Sequence, residues 1–322
     1  APLFGAVAQK LPRRSLLVTL DILRACVVAV LPFVTEVWQI YVLVFVLNVF
    51  SAGFTPVFQA TIPDIVTDQA EYTKALSLSR LAFDLENLLS PMLAAALIAI
   101  LTFDVLFLMN GLAFILSASL VLSVTLPGRK DESHGELFWT RVTKGTRIYL
   151  KTPRLKGLLA LSMVVSSAGA MQIVNTVVYV QSYLGLAEEW VAIAFAAAGG
   201  GSMAAALTLP GILRRVAPRS CMLSGGFLLS VSVLAGSAMP GINSLILLWF
   251  LMGIGMSMIL TPAGRLLTQS SREKDRPALF AAQFSLSHAC WLITYPLAGW
   301  LGVQLGLMGA FIALGSIALV SA

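Results

Sequence analysis

The chain contains 322 residues, of which 58% are hydrophobic and only 11% are charged, and its formal net charge is +6. Soluble domains carry about 25% charged residues, so this composition excludes a soluble globular protein and a disordered one. The three cysteines lie far apart in apolar runs, which excludes a disulfide framework and a paired-cysteine zinc site. We therefore expect a protein that crosses a membrane several times.

The predicted helices follow from the apolar runs, because a spanning helix needs about 20 mostly apolar residues. Nine runs are long enough: 15–34, 38–61, 75–101, 104–126, 157–184, 188–212, 219–239, 243–266 and 277–303. Partial helices are predicted at 1–8 and at 306–322, where the chain begins and ends inside an apolar run. The predicted fold is an all-α polytopic membrane protein with about ten or eleven helices present.

The basic residues indicate the orientation of these helices. All but three of the 21 Lys and Arg residues lie in alternate connections, whereas the intervening connections contain four acidic residues and no Lys or Arg. The exceptions, Arg24, Arg80 and Arg265, lie inside predicted helices. By the positive-inside rule the basic connections are cytoplasmic. The positive charge therefore reflects topology, and no nucleic-acid partner is expected.

An internal repeat divides the chain. Gly5 recurs as Gly211 and Pro12 as Pro218, both 206 positions later, and three further pairs share nearly that spacing. The repeat predicts an N-terminal half at 1–126, a cytoplasmic linker with an interfacial amphipathic helix at 127–156, and a C-terminal half at 157–322. It also predicts that roughly 48 residues precede this sequence and about ten follow it, which gives twelve helices in the intact protein.

The run from Gly5 to Arg14 resembles the loop motif G-x-x-x-D-r-x-G-R-R/K of the major facilitator superfamily. The glycine and both arginines match, whereas Gln9 replaces the acidic residue and Pro12 the second glycine. Two six-helix halves with a basic linker also resemble that superfamily, in particular its drug-efflux branch with the macrolide exporters. The run 275–291 is similar to exporters associated with nickel resistance.

The resemblance implies two six-helix bundles and a secondary active transporter that works by alternating access. It further implies a proton-coupled exporter of a small molecule, an antiporter of the bacterial cytoplasmic (inner) membrane, present as a monomer without a cofactor. The implied cytoplasmic gate consists of Gly5, Arg13, Arg14, Asp21 and Arg24, although Asp21 and Arg24, three residues apart, can equally form a structural pair.

Ionisable side chains at membrane depth are costly and usually mark an ion or substrate pathway. Arg80 and Asp84 are four residues apart on one helical face, whereas Glu86 faces elsewhere. The repeat places His288 opposite Asp84. We expect Asp84, Glu86 and His288 to carry the coupling proton. The alternatives are a structural Arg80–Asp84 pair and a histidine that bonds to a neighbouring helix.

The expected substrate contacts are polar or soft side chains on cavity helices: Asn48, Ser51, Thr55, Gln59, Asn175, Met256 and His288. Interhelical hydrogen bonding is an equally good explanation of these polar side chains. The small-residue run 198–202 contains no lysine and is interpreted as close helix packing rather than as a phosphate loop.

Two other function classes are weighed against organic-solute export. The first is a divalent-metal (nickel-type) exporter whose site combines Asp84, Glu86, His288 and Cys290. The second is a membrane enzyme, which is rejected because the sequence has neither a nucleophile elbow nor an H-E-x-x-H motif. The sequence is also compatible with a receptor that has no transport activity.

Overall fold

The computed structural model of the protein describes residue 3 and residues 12–98, 100–124, 126 and 138–322. Gly5 and nearly all of the predicted partial helix at 1–8 lie outside these residues. Within the described residues the regular structure is entirely helical, as the composition predicts.

Eleven helices run through the described residues: α1 (Arg13–Val30), α2 (Val37–Ile65), α3 (Gln69–Ile98), α4 (Phe103–Ser123), α5 (Phe138–Lys151), α6 (Pro153–Val177), α7 (Glu188–Ile212), α8 (Pro218–Gly236), α9 (Ile242–Gln269), α10 (Arg276–Gln304) and α11 (Gly306–Ser321). A 3₁₀ turn, Leu31–Phe33, extends α1, and a π-helical segment, Val178–Tyr183, extends α6.

Each of the nine predicted complete helices is present. Within the described part of the chain, 7 helices are long and apolar enough to cross a membrane. They are α1, α2, α4, α6, α7, α8 and α9, counted together with their short extensions. Helices α3 and α10, with 30 and 29 residues, are also long enough to cross a membrane. They contain the polar side chains discussed below. The apolar C-terminal segment forms α11, with 16 residues.

Many large apolar side chains point away from the protein interior. Phe33 is 81% exposed, Phe45 69% and Val303 82%, and similar residues occur along most of the long helices. Exposed apolar area on this scale is incompatible with water and is expected where helices face lipid.

The chain forms two compact units, neither of which is continuous in sequence. The first unit comprises Ala1–Thr67, Pro91–Lys151 and Ser271–Ser285, and the second comprises Asp68–Ser90, Thr152–Ser270 and Leu286–Ala322. The predicted division into two halves along the sequence stays a prediction. Helix α2 packs on α1 and α1 on α4 in the first unit, whereas α9 packs on α7 and α8 in the second.

In the second unit, α7 and α9 approach each other at two glycines. A Cβ atom on Gly201 would overlap the carbonyl oxygen of Phe250, and one on Gly253 would overlap the carbonyl oxygen of Ala198. Small residues permit this close backbone approach between membrane helices. The interpretation of the run 198–202 as helix packing is thus confirmed.

In the first unit, the linker helix α5 packs on the beginning of α10. Gly145 lies against the backbone of Ala278. Tyr149 is fully buried and donates a hydrogen bond to Gln283. Lys144 pairs with Asp275 at 3.3 Å. The interfacial position of this helix stays a prediction, and Tyr149, from its predicted apolar side, makes a protein contact.

Candidate functional site

Three side chains form a closed polar network between α3 and α7 of the second unit. The Nη2 atom of Arg80 lies 2.8 Å from Oδ1 of Asp84. The Ser202 hydroxyl donates to Oδ2 of Asp84 at 2.5 Å and accepts from Nε of Arg80 at 3.0 Å. Asp84 is only 5% exposed and Ser202 2%. One hydroxyl on α7 therefore bridges both members of an ion pair on α3.

The local sequence explains the pair. Residues four apart lie one above the other on a helix, so that the Arg80 guanidinium reaches the Asp84 carboxylate without distortion of the backbone. Burying either charge alone would cost several kcal/mol, so the pair and its hydrogen bonds must form together. The spacing therefore predicts the ion pair, which the structure contains, but it gives no sign of Ser202.

The remaining polar side chains of this stretch of α3 point elsewhere. Glu86 and Asn87 are exposed, and the Asn87 amide donates to the carbonyl of Phe83 at 2.8 Å. The sequence places Asp84 and Asn87 on one face, yet in the structure only Asp84 is enclosed. The assignment of Asp84 and Glu86 to proton coupling stays a prediction.

His288 and Cys290 diverge on α10, as expected for residues two apart on a regular helix. The histidine side chain is exposed, whereas the thiol is buried. Across the part of the chain that the structure describes, no three His, Cys, Asp or Glu side chains come together in a way that could hold a metal ion. The alternative metal site of Asp84, Glu86, His288 and Cys290 is thus not assembled.

The predicted substrate-contacting side chains on α2 are bonded within their own helix or lie at its surface. The Asn48 amide donates to the carbonyl of Val44 at 2.8 Å, and the Ser51 hydroxyl to that of Leu47 at 2.9 Å. Thr55 is partly buried and Gln59 is exposed. Such intrahelical bonds satisfy a polar group in lipid and leave the substrate role a prediction.

Asn175 on α6 is buried and joins two helices. Its amide donates to the carbonyl of Ala298 on α10 at 3.3 Å and approaches the Met171 sulfur at 3.4 Å. This geometry matches the alternative of interhelical bonding. Met256, predicted to contact substrate from α9, is partly buried.

A second charge cluster joins the ends of three helices in the first unit. Arg13, at the beginning of α1, and Arg276, at the beginning of α10, both pair with the carboxylate of Asp64 near the end of α2. Arg13 also donates to the carbonyl of Ala60 at 3.4 Å. Asp64 and Arg276 are absent from the predicted gate, because three helix ends that converge leave no periodic pattern in the sequence.

The other predicted gate residues have different partners. Arg14 donates to the carbonyl of Leu122, and Asp21 pairs with Arg24. The Ser117 hydroxyl of α4 donates to Asp21 at 2.8 Å. Gly5 lies outside the described residues. Among the predicted gate residues, Arg13 is the one that the structure places in a charge cluster joining several helix ends.

Comparison with known families identifies the chain. The family model of the Major Facilitator Superfamily matches residues 1–242 and 212–322. The chain belongs to this superfamily. It is therefore a multi-pass membrane transporter with a small-molecule substrate and is not an enzyme, in agreement with the sequence-based prediction.

Two curated bacterial members of the superfamily resemble the chain. The MFS-type transporter YfiS of Bacillus subtilis is 26% identical over 326 residues, a match that covers 95% of this chain and 76% of the relative. Macrolide efflux protein A of Enterococcus faecalis is 24% identical over 170 residues, which is 51% of each chain. The predicted resemblance to the efflux branch is confirmed.

Solved structures of superfamily transporters share the fold. The human organic anion transporter TETRAN has a TM-score of 0.82 at 14% identity, covering 99% of this chain and 78% of its own. The fucose:proton symporter of E. coli has a TM-score of 0.75 at 13% identity, and the match covers 100% of this chain and 87% of the symporter. A bacterial homologue of the iron transporter ferroportin has a TM-score of 0.72 at 16% identity, and the match covers 99% of this chain and 84% of the homologue.

Proposed function

We propose that this transporter exports a small organic molecule in exchange for protons. The observation that carries the proposal is the buried network of Arg80, Asp84 and Ser202 on helices of the second unit. The efflux activity named for the Enterococcus faecalis relative supports the direction and the substrate class. The bacterial origin of both relatives supports a place in the cytoplasmic membrane, with the basic connections inside.

The network supplies a titratable switch. When Asp84 is ionised, its carboxylate accepts from both Arg80 and Ser202. A proton on Asp84 removes the negative charge and leaves the Arg80 guanidinium buried without an ionic partner, which is energetically costly. The protein then favours an arrangement in which Arg80 reaches water or another acceptor. Differential stability of this kind couples proton binding to conformation.

The Asp64 cluster supplies a gate. In the superfamily motif an acidic residue follows the first glycine, and here Gln9 stands in its place. We assign its role to Asp64, which accepts from Arg13 and from Arg276. Alternating access requires contacts of this kind to form and break in each cycle. Asn48, Ser51, Thr55, Gln59, Asn175, Met256 and His288 are retained as the candidate substrate contacts.

Metal export is not part of the proposal. A transition-metal or zinc site needs several nitrogen, sulfur or oxygen ligands around one point, and the described residues contain no such group of three. Export of an organic solute needs only a cavity with a few polar or soft side chains, and the sequence offers candidates on α2, α6, α9 and α10.

The proposal is tested by proton-driven transport in inverted membrane vesicles. A growth screen of a strain that overproduces the protein first selects an exported antibiotic or dye. Uptake of that compound into the vesicles is then driven by an imposed pH gradient. We expect Asp84→Asn to abolish gradient-driven uptake. Glu86 belongs to the predicted proton-coupling residues, but its side chain is exposed and lies outside the network, so we expect Glu86→Gln to retain most of the uptake.

Two outcomes would contradict the proposal. If Asp84→Asn retained wild-type gradient-driven uptake, the network would not carry the proton. If a pH gradient of either sign left wild-type uptake unchanged while the compound was still transported, proton exchange itself would be wrong. His288→Ala in the same assay distinguishes a second proton site from a residue that merely packs.

A further inference from the structure

A groove opens on the surface of the second unit between α3 and α7, with a cavity volume of about 220 Å³. Its wall on α3 is formed by residues spaced three or four apart and therefore on one face, and α7 forms the opposite wall. The residues that shape it are Lys74, Ser77, Leu78, Leu81, Leu207 and Pro210. Leu78 is 63% exposed and Leu207 64%, so the groove is open on the side that faces lipid.

One polar side chain of the groove lacks a partner in the described part of the chain. The Ser77 hydroxyl is buried, with the residue 5% exposed, and no hydrogen-bond partner is found for it among the described residues. Across the groove, Pro210 has no backbone N–H, so the carbonyl of Ala206 cannot receive its α-helical hydrogen bond from that position. Ala206 also lines the groove. Orphaned polar groups at membrane depth are costly unless a ligand satisfies them.

One lysine lines the groove, and two exposed arginines follow the end of α7 in the sequence. Lys74 lies at the end of the groove, near the beginning of α3, where its ammonium group is 2.7 Å from the carboxylate of Glu71. Both side chains of this pair are about half exposed, so the pair itself contributes little. Arg214 and Arg215, both exposed, follow the end of α7. The apolar stripe from Lys74 to Leu81 then runs about 10 Å into the hydrocarbon region by helical rise.

We propose that this groove binds one anionic phospholipid from the leaflet on the side of the Arg214–Arg215 connection. The phosphate lies beside Lys74 in competition with Glu71, and one acyl chain follows the stripe of Leu78, Leu81 and Leu207. When the Ser77 side chain rotates toward the groove, its buried hydroxyl donates to a glycerol or ester oxygen of the lipid. A lysine at the end of an apolar, lipid-facing slot, with two arginines in the connection that follows α7, is an arrangement that suits an anionic headgroup and its acyl chain.

The test measures lipid binding to the purified full-length chain by native mass spectrometry. Phosphatidylglycerol and phosphatidylcholine with identical acyl chains are titrated separately. We expect one phosphatidylglycerol to be retained in preference to phosphatidylcholine, and Lys74→Gln to weaken its binding about fivefold. Glu71→Gln, which removes the competing carboxylate, strengthens binding. Leu207→Trp fills the slot from its lipid side and abolishes the retained lipid.

Matched controls remove charge or add bulk elsewhere in the same unit. Lys156→Gln takes one exposed ammonium group from α6, and Leu223→Trp enlarges an exposed apolar residue of α8. Both leave binding unchanged, and glycerol phosphate without acyl chains does not compete. Equal weakening by Lys74→Gln and Lys156→Gln would overturn the headgroup contact. Equal binding by Leu207→Trp and Leu223→Trp would overturn the acyl-chain slot.

Discussion

Two buried Asp–Arg pairs, one in each unit, have the same chemistry and different surroundings. In the first unit, Asp21 pairs with Arg24 on α1 and accepts from Ser117 on α4 at 2.8 Å. The Arg24 guanidinium lies 4.1 Å from the ring centre of Phe54 on α2 and 4.7 Å from that of Phe114 on α4. Side chains from two neighbouring helices therefore hold this arginine in place.

The pair in the second unit is held more loosely. Arg80 also lies over an aromatic ring, at 5.1 Å, but that ring is Phe83 of its own helix. Among the described residues, the hydrogen bonds that join this pair to α7 are the two made by the Ser202 hydroxyl. We infer that the Asp21 pair is a fixed brace, whereas the Asp84 pair can be released. Burial is common to both pairs, so burial alone does not distinguish them, whereas the number of neighbouring side chains that restrain the arginine does.

The largest expected effect comes from neutralising the Asp84 pair completely. Asp84→Asn combined with Arg80→Gln leaves no buried charge unpaired, so the protein still folds. We expect gradient-driven transport in inverted vesicles to fall to background. The corresponding double variant in the first unit, Asp21→Asn with Arg24→Gln, should retain transport. The inferred difference between the two pairs would be wrong if the two double variants lost transport to the same extent.

Removing one charge from the fixed brace should have the next largest effect. Asp21→Asn leaves Arg24 buried without a carboxylate, and we expect the free energy of unfolding to fall by about 3–5 kcal/mol. Denaturation in detergent, followed by circular dichroism, measures this loss. Addition of Arg24→Gln should restore most of the stability. A double variant that is no more stable than Asp21→Asn would show that the pair is not a unit.

Local spacing makes much of this molecule predictable. Apolar runs predict the helices, because lipid forces every backbone hydrogen bond to form within a segment. Both ion pairs follow from spacings of three and four residues on single helices. The glycine-rich run 198–202 predicts close packing, and its contact with α9 confirms it.

Contacts between distant segments were not predictable. From the sequence, Ser202 is predicted to be one more small packing residue. Its partner Asp84 is 118 positions away, so no local spacing indicates their contact. Asp64, Arg13 and Arg276 meet from the ends of three helices. The pattern of α5 predicts an apolar side but does not distinguish lipid from protein as the surface it covers, and Tyr149 is buried against α10. Tertiary packing decides such cases, and a single sequence does not encode it in any periodic form.

The Asp64 cluster gives an intermediate case between the brace and the releasable pair. Asp64→Asn removes the shared carboxylate of Arg13 and Arg276. The side chains of Asp64 and Arg276 are 17% and 14% exposed, so water partly replaces the lost contacts, and we expect a loss of about 2 kcal/mol, smaller than that for the fully buried Asp21. Thermal unfolding in detergent measures it. Glu273→Gln, which neutralises an exposed acid two positions before Asp275, is the matched control and should leave the midpoint unchanged. A gate that opens in each cycle cannot be much stronger than this.

The smallest expected effect separates the two serines. Ser117→Ala removes one hydrogen bond to Asp21, which remains paired with an arginine fixed by two aromatic rings, so we expect a loss of about 1 kcal/mol. Ser202→Ala removes two bonds at once and with them the hydroxyl link between the pair and α7, for which we expect about 2 kcal/mol. Thermal unfolding ranks the two variants, and the transport assay separates them further. Because the Asp84 pair has fewer restraints to lose, Ser202→Ala should also change the pH profile of transport, whereas Ser117→Ala should leave it in place. A shifted profile for Ser117→Ala would mean that the first pair moves during the cycle as well.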